Sequence, residues 1–421
     1  MRTIIIGAGF AGLTAARFLK DFLVLEKEGR PGGLCRTEVK AGFTFDYTGH
    51  LMHLRDKKAS AFILKNSRCK MLKLNRKSYV FSRGVYTDYP YQTNNRGLPP
   101  AVIAENLTGL LEAERIKKKD TRDFKRWALS VFGGGICRNF IFPYNGKLWR
   151  RPLEKLTVNW MGRFLPGARV EDYVRGLGGS WKKEEGYNAS FYYPERGGIE
   201  SVIKGLARGL ESRIRLNAAV KRVDLKKRVV YTAGSAFEYD RLISTMPLKE
   251  LALITGDKRL AADAKKLSAV SVYCLNVGYK ERTKHGMHWI YVPEKKYPFY
   301  RAGFPSNFSK YNAPEGCASA FAEVSYNAAE PKGVEAKVIN GLLDMGIMES
   351  RRDIMVKLPM RLKGAYVVYD RAREAAVSGI KAELKKHGVI TASRWGNWEY
   401  SSMEDAVIEG MEAAEEAKAG A

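Results

Sequence analysis

The chain is poor in cysteine: five residues, at positions 35, 69, 137, 274 and 317, an odd number with no CxxC spacing. That argues against a disulfide framework and a zinc site, and makes a reducing cytoplasm the default expectation. Long apolar runs are missing too. No stretch approaches the ~18 residues that span a bilayer, so no integral membrane segment is expected. The N-terminal TIII is too short for a secretory core and leads into a glycine turn rather than a cleavage site. There is no zinc finger, KH loop or ribonucleoprotein motif, which speaks against nucleic acid as a partner. Internal repeats and low-complexity linkers are also missing. Acidic residues are outnumbered: 45 against 72 lysines and arginines among 421 residues, a formal net charge of +27. A basic surface favours small anionic substrates and, for peripheral association, acidic membrane surfaces, without choosing between them. The densest stretch, RIKKKDTRDFKR at 115–126, reads as a solvated helix face rather than a binding patch.

Glycine carries the first positive signal. A β-branched run, Thr3 to Ile6, meets Gly7-Ala8-Gly9-Phe10-Ala11-Gly12, then a helical segment with Leu13, Ala16 and Leu19 on one face. A second apolar strand, Phe22 to Leu25, ends at Glu26. Strand, glycine turn, helix, strand and acid form the dinucleotide-binding pattern in its required context. Gly7 permits the tight turn, Gly9 lets backbone approach a pyrophosphate at the helix N-terminus, and Gly12 allows close helix–strand packing. Glu26 is placed to accept hydrogen bonds from a ribose.

Downstream, residues 98–150 are helical by pattern. Ile103, Leu107, Leu110 and Leu111 share one face; Phe124, Trp127, Ala128, Val131 and Phe132 share another, and Gly133-Gly134-Gly135 breaks that run. From about 270 to 370 the text alternates in the manner of strands. A last helix runs from Met403 to about Ala417. The expected architecture is α/β: a Rossmann-type domain assembled from discontinuous segments, with a helical insert and an antiparallel β-sheet domain. Its expected boundaries are 1–75, 188–270 and 377–421 for the dinucleotide domain, 97–187 for the helical insert, and 76–96 with 271–376 for the sheet. Within that sheet lies PFYRAGFPSNFSKYN, where Arg301 stands among Phe299, Tyr300, Phe304, Phe308 and Tyr311. A guanidinium in such a cluster needs an anion for its charge and a ring for its plane.

Two further blocks choose flavin over nicotinamide. EGRPGGLCRT follows the acid directly and GFTFDYTGH follows that, a pairing that resembles the FAD proteins that include amine oxidases, protoporphyrinogen oxidase and UDP-galactopyranose mutase. The blocks DYPYQTNNRGLPP, FPYNGKLWRRP, WMGRFLP, YNASFYYPERGG, HWIYVPEKKYPFYRAGF and SRWGNWEYSSMEDAVIEGMEA are similar, in order and context, to the eukaryotic-type UDP-galactopyranose mutases. This resemblance covers nearly the whole chain. It implies FAD as cofactor, active when reduced by NAD(P)H or another reductant, and a UDP-sugar as substrate. It places the cofactor against Gly7, Gly9, Phe10, Ala11, Gly12, Glu26, Lys27, Gly32, Gly33, Leu34, Arg36, Gly49, His50, Val223, Thr245, Arg394 and Met403.

The same resemblance assigns Arg301 and Arg163 to the diphosphate, with Tyr291, Tyr366 and Tyr400 donating to phosphates. Tyr89, Gln92, Asn145 and Trp149 fall in the uridine pocket, Asn188 on a substrate loop, and Trp289 beside the sugar. Phe308 departs from the pattern, standing where the family has a phosphate-binding tyrosine; the lost hydroxyl removes a hydrogen bond of about 1–2 kcal/mol. The implied reaction interconverts UDP-galactopyranose and UDP-galactofuranose, a precursor of cell-surface glycans, through nucleophilic N5 of reduced FAD and without net redox change. Catalysis then rests on Arg301, Arg163, His50, Tyr366 and Tyr400, with no metal. Two other readings stay open: an oxidase or desaturase of the amine oxidase type, and a non-enzymatic FAD or nucleotide-sugar binding protein.

Overall fold

The computed structural model describes residues 2–161, 165, 167–179, 189–281 and 284–419. Thr3–Ile6 is a strand buried along its whole length, as a four-residue β-branched run inside a parallel sheet must be. It pairs in parallel with Phe22–Leu25 on one side and Arg241–Ser244 on the other. Val389–Thr391 and Ile214–Arg215 close the edges, giving a five-stranded sheet drawn from four distant parts of the chain. The helix Phe10–Phe18 packs against the last helix, Met403–Ala419. Only glycine fits at their crossing, since a Cβ on Gly410 would lie 2.5 Å from the Ala11 carbonyl oxygen.

A second, seven-stranded sheet runs in the order Ile354–Val367, Ala269–Lys280, Cys317–Tyr326, Arg301–Gly303, Trp289–Tyr291, Ser78–Ser82 and Val85–Asp88. It is mixed rather than antiparallel throughout, because Ser78–Ser82 joins Trp289–Tyr291 in parallel. The helix Val334–Asp344, not anticipated in the strand-like stretch, covers one face, with Gly341 seated on Phe299.

The helical part holds Pro100–Glu114, Phe124–Ile136, Phe142–Trp149 and Val170–Leu177. Two local expectations need correction. Leu111 points outward, 42 % exposed, because Leu110 takes the buried position beside it. The basic stretch 115–126 is mainly the connection between two helices, not a helix face: the first helix ends at Glu114, and Asp123 caps the second by accepting from the Arg126 amide at 2.9 Å. The glycine triplet does break the helical run: Gly133 is non-helical and kinks the chain between two helical stretches. The cause is a backbone crossing. A Cβ on Gly133, whose φ is +72°, would lie 1.8 Å from the Gly109 carbonyl oxygen, and one on Gly135 would lie 2.2 Å from that of Glu105.

Gly133→Ala should therefore destabilise the protein by about 3 kcal/mol or more, since neither the backbone angle nor the contact can relax cheaply. Urea unfolding measures this; a loss under about 1 kcal/mol would show that the two helices can separate.

Candidate active site

The carboxyl ends of the parallel strands converge on the glycine turn, where such sheets bind ligands. Gly7 takes φ +97°, and its missing Cβ leaves room for Thr245, whose Oγ1 donates to the Ile6 carbonyl at 2.8 Å. A Cβ on Gly12 would lie 2.0 Å from the Gly7 carbonyl, so the helix starts as close to the strand as backbone permits. Gly9 and Gly33 face one another across open space: a Cβ on Gly9 meets nothing nearer than the Gly32 oxygen at 4.0 Å. Gly32 and Gly33 both have positive φ, and Gly32 donates to the Ala8 carbonyl at 2.9 Å. The result is a glycine-walled groove at a helix N-terminus, the shape and polarity a pyrophosphate requires.

Glu26 ends the second strand and is 4 % exposed. Its Oε2 accepts from the Ala8 amide at 2.7 Å and its Oε1 from that of Glu28 at 3.0 Å, so the acid fastens the turn it faces. Arg36 donates to the Gly33 carbonyl at 2.9 Å, pairs with Glu28 at 3.3 Å and lies 4.9 Å from the Tyr47 ring centroid. Val223 is fully buried, in one core with Ile6 and Leu25. Phe10 and Ala11 are buried, Leu34, Gly49 and Met403 are half-buried, and Lys27 is exposed.

Between the two sheets stands a cage of aromatic rings. Tyr366 and Tyr400 stack at 6.1 Å, and Trp149 lies 6.1 Å from the first and 6.3 Å from the second. Tyr89 meets Tyr291 at 4.8 Å, which meets Tyr144 at 5.5 Å. Asn145 lies one turn before Trp149 on the same helix and donates to the Ile141 carbonyl at 2.8 Å. Gln92 is buried in the turn that follows the Val85–Asp88 strand. The indole nitrogens of Trp149 and Trp160 are buried donors that meet no acceptor among the described residues.

Arg301 has its anion within the protein. Its Nε and Nη2 donate to the two oxygens of Glu323, each at 2.8 Å, directly across the strand pair in which the two residues are in register. Glu323 is wholly buried, while the arginine side chain keeps 23 % exposure. Burial alone would lower the arginine's pKa; the Glu323 carboxylate, with Tyr366 and Tyr300 nearby, more than reverses this and holds it well above its ordinary value. The second cation, Arg394, donates to the Ser401 carbonyl and lies 5.0 Å from the Tyr400 ring centroid and 5.8 Å from that of Tyr366.

His50 sits between these cations. Burial first, then Arg394 and Arg301, push its pKa down to about 3, so it is neutral at physiological pH. Burial of the phenol is also what pushes Tyr366 up to about 12.

The structure thus gathers Arg301, Arg394, His50, Tyr89, Tyr291, Tyr366, Tyr400 and Trp149 around one region. Trp289 and Phe308 lie in an apolar cluster with Phe191 against which Tyr291 and Tyr366 of the cage also pack; Phe308 is 5.9 Å from Phe191 and 5.4 Å from Tyr193. Arg163 and Asn188 lie outside the described residues. Glu323, Tyr144 and Trp160 were not assigned from sequence. Glu323 had a signal, as the one acid in the strand CASAFAEVSY. Among the described residues no cluster of histidine, cysteine or acid could hold a metal, and no helix is long and apolar enough to cross a membrane. A cavity of about 550 Å³ lies away from the cage, walled by Phe81, Tyr86 and Tyr297; its polar rim is satisfied internally, with Lys296 2.7 Å from Asp344.

Residues 10–418 match the family described as flavin containing amine oxidoreductase, and the chain belongs to that family. FAD is its cofactor, and the glycine groove fits that group. Within this class the chain is similar along its whole length to reduced UDP-galactopyranose mutase: 27 % identity, 100 % of this chain and 96 % of that one, TM-score 0.94. Putrescine oxidase shares the fold at 17 % identity over 100 % of this chain and 99 % of that one, with a TM-score of 0.68. A 56-residue segment is 48 % identical to the inactive all-trans-retinol 13,14-reductase of Danio rerio; the chain spans 9 % of that relative's length.

Burial lowers four histidines: His50 to about 3, and His53, His285 and His288 to about 4. The unfolded chain binds these protons near pH 6.5 and the native state does not, so stability is full above that value and falls as pH drops toward 4. Each histidine contributes up to about 1.4 kcal/mol per pH unit. Buried Asp46, raised to about 6, and Glu409, raised to about 8, act in the opposite sense and offset two of them. Urea midpoints from pH 7.5 to 5 should fall steadily, and His50→Gln should flatten the slope by about one proton; an unchanging midpoint would contradict a neutral His50.

Proposed function

We propose that the protein is a flavin-dependent mutase that interconverts UDP-galactopyranose and UDP-galactofuranose with no net redox change. The observation that carries this is the whole-length likeness to UDP-galactopyranose mutase, against a much lower similarity to the oxidase that shares the fold. The site supports it. Glu323 takes Nε and one Nη2 hydrogen of Arg301, leaving the Nη1 hydrogens and the second Nη2 hydrogen to donate to a diphosphate. The carboxylate fixes the plane of the guanidinium, so the fork is oriented before substrate arrives. Tyr291, Tyr366 and Tyr400 supply hydroxyl donors beside it, and Tyr89, Gln92, Asn145 and Trp149 form the uridine pocket. Arg163 and Asn188 belong to the substrate loops by the same likeness.

When bound, reduced FAD supplies the nucleophile through its N5. The chain's own part is to orient the sugar, exclude water with the aromatic cage, and stabilise departing UDP by preorganised positive charge. His50, being neutral, positions rather than transfers a proton. Arg394 places a cation near the flavin, where it favours the reduced, anionic form. An oxidase or desaturase reading draws on the family match, but amine and apolar substrates have no use for a diphosphate clamp. The electron source is NAD(P)H or another cellular reductant, and the site of action is the cytoplasm.

Dithionite-reduced protein should convert UDP-galactofuranose to the pyranose form by chromatography, and oxidised protein should be silent; stoichiometric oxygen uptake with peroxide release would assign the chain to the oxidases instead. Arg301→Ala would strand Glu323 as an unpaired buried charge and confuse stability with function. Arg301→Lys keeps the charge and loses the fork, and should cost about 2–4 kcal/mol of transition-state stabilisation in kcat/KM with FAD content unchanged. Wild-type turnover in the lysine variant would remove Arg301 from the diphosphate site.

A further inference from the structure

Arg394 and Tyr400 are carried by residues 392–402, which join the strand Val389–Thr391 to the helix Met403–Ala419. This loop is strained. Ser393 has φ +80° and Trp398 φ +55°, and neither is glycine. Something must hold it. Glu409, on the following helix, accepts through Oε2 from the Ser393 amide at 2.6 Å and from Asn397 Nδ2 at 2.5 Å. Asn397 in turn accepts from Thr391 Oγ1 at 2.9 Å and Lys381 Nζ at 2.8 Å. The Arg373 guanidinium holds the Trp398 carbonyl, with Nε at 2.8 Å, and Ser393 Oγ reaches the Thr245 carbonyl at 3.3 Å, beside the first glycine.

The other oxygen of Glu409, Oε1, is buried and meets no donor among the described residues. The negative charge of Glu399 bears on this carboxyl. A proton held on Glu409 would turn the orphaned Oε1 into a donor. Burial first, and then Glu399, raise Glu409 in keeping with this.

We propose that Glu409 is a positioning residue: bonded to the Ser393 amide and to Asn397, it locks the strained 392–402 segment so that Arg394 meets the flavin and Tyr400 meets the substrate. The inference rests on the assignment of those two residues under the proposed function, so its test needs readouts that do not require mutase activity.

Glu409→Gln keeps an oxygen for the Ser393 amide and for Asn397, so both bonds can persist. Glu409→Ala removes both bonds and lets Ser393 and Trp398 relax. Three measurements decide: FAD dissociation constant, flavin midpoint potential and, if turnover is present, kcat against KM. Alanine is expected to weaken FAD at least tenfold, shift the potential and lower kcat ten- to a hundredfold, while glutamine stays within threefold of wild type in all three. Wild-type flavin affinity and potential in the alanine variant would overturn the proposal, as would a glutamine variant impaired equally. Should alanine not fold, Asn397→Ala keeps the Ser393 bond and removes the second, together with the Thr391 and Lys381 contacts; it is expected to shift the potential partway, and no shift would be decisive against the lock. Absence of mutase turnover alongside the expected flavin effects would count against the mutase reading and leave the lock standing.

Discussion

A buried positive charge needs a permanent partner, and the pairing of Arg301 with Glu323 is the constraint on which the candidate site depends. An arginine alone between two sheets would be driven out toward water or would disorder its surroundings. Locked in register to a fully buried carboxylate, it becomes a fixed element of the sheet, with one edge committed and one edge available. The aromatic rings follow from this. They exclude water from the pair, which strengthens every remaining interaction of the guanidinium, a group that only donates and so pairs with acceptor oxygens. The price is rigidity: a strand carrying such a pair cannot slip by one residue without stranding both charges.

The sequence was informative where one residue type answers to one local demand. The turn at 7–12 is legible because no other residue can occupy Gly7 and Gly12 with those contacts. The last helix and the returning strand Arg241–Ser244 were legible by period and by context. What stayed hidden was long-range. Glu323 reads as an odd acid in an apolar strand until register sets it opposite Arg301, twenty-two residues earlier. The Gly133–Gly135 triplet was legible as a break, but only the approach of Gly109 shows its cause. Leu111 and the 115–126 segment failed because periodicity cannot tell which turn of a helix is the last. Phe308, read as a missing hydroxyl, packs against Phe191 and Tyr193.

Electrostatically the candidate site and the surface are of different kinds. Most ion pairs of the described residues are exposed and contribute little each. Around the cage, by contrast, His50 is neutral and the tyrosines are protonated, so the fixed charges include Arg301, Arg394 and Glu323, with Arg76 5.1 Å from the Tyr89 ring centroid. A low density of mobile charge keeps the region's dielectric low, and that makes each fixed donor count for more when a diphosphate enters.

The five-stranded sheet has a temporal consequence. Its first two strands emerge from the ribosome within 25 residues, but their neighbours arrive at 241–244 and 389–391. Until then Thr3–Ile6 has one flank unpaired, and the glycine turn lacks the threonine and the helix that enclose it. The nascent chain therefore carries an apolar edge through most of its synthesis, a state prone to misassociation. Cofactor capture becomes a final step of maturation rather than a nucleus for folding, and flavin supply then governs how much finished protein accumulates, not how fast its domains first collapse.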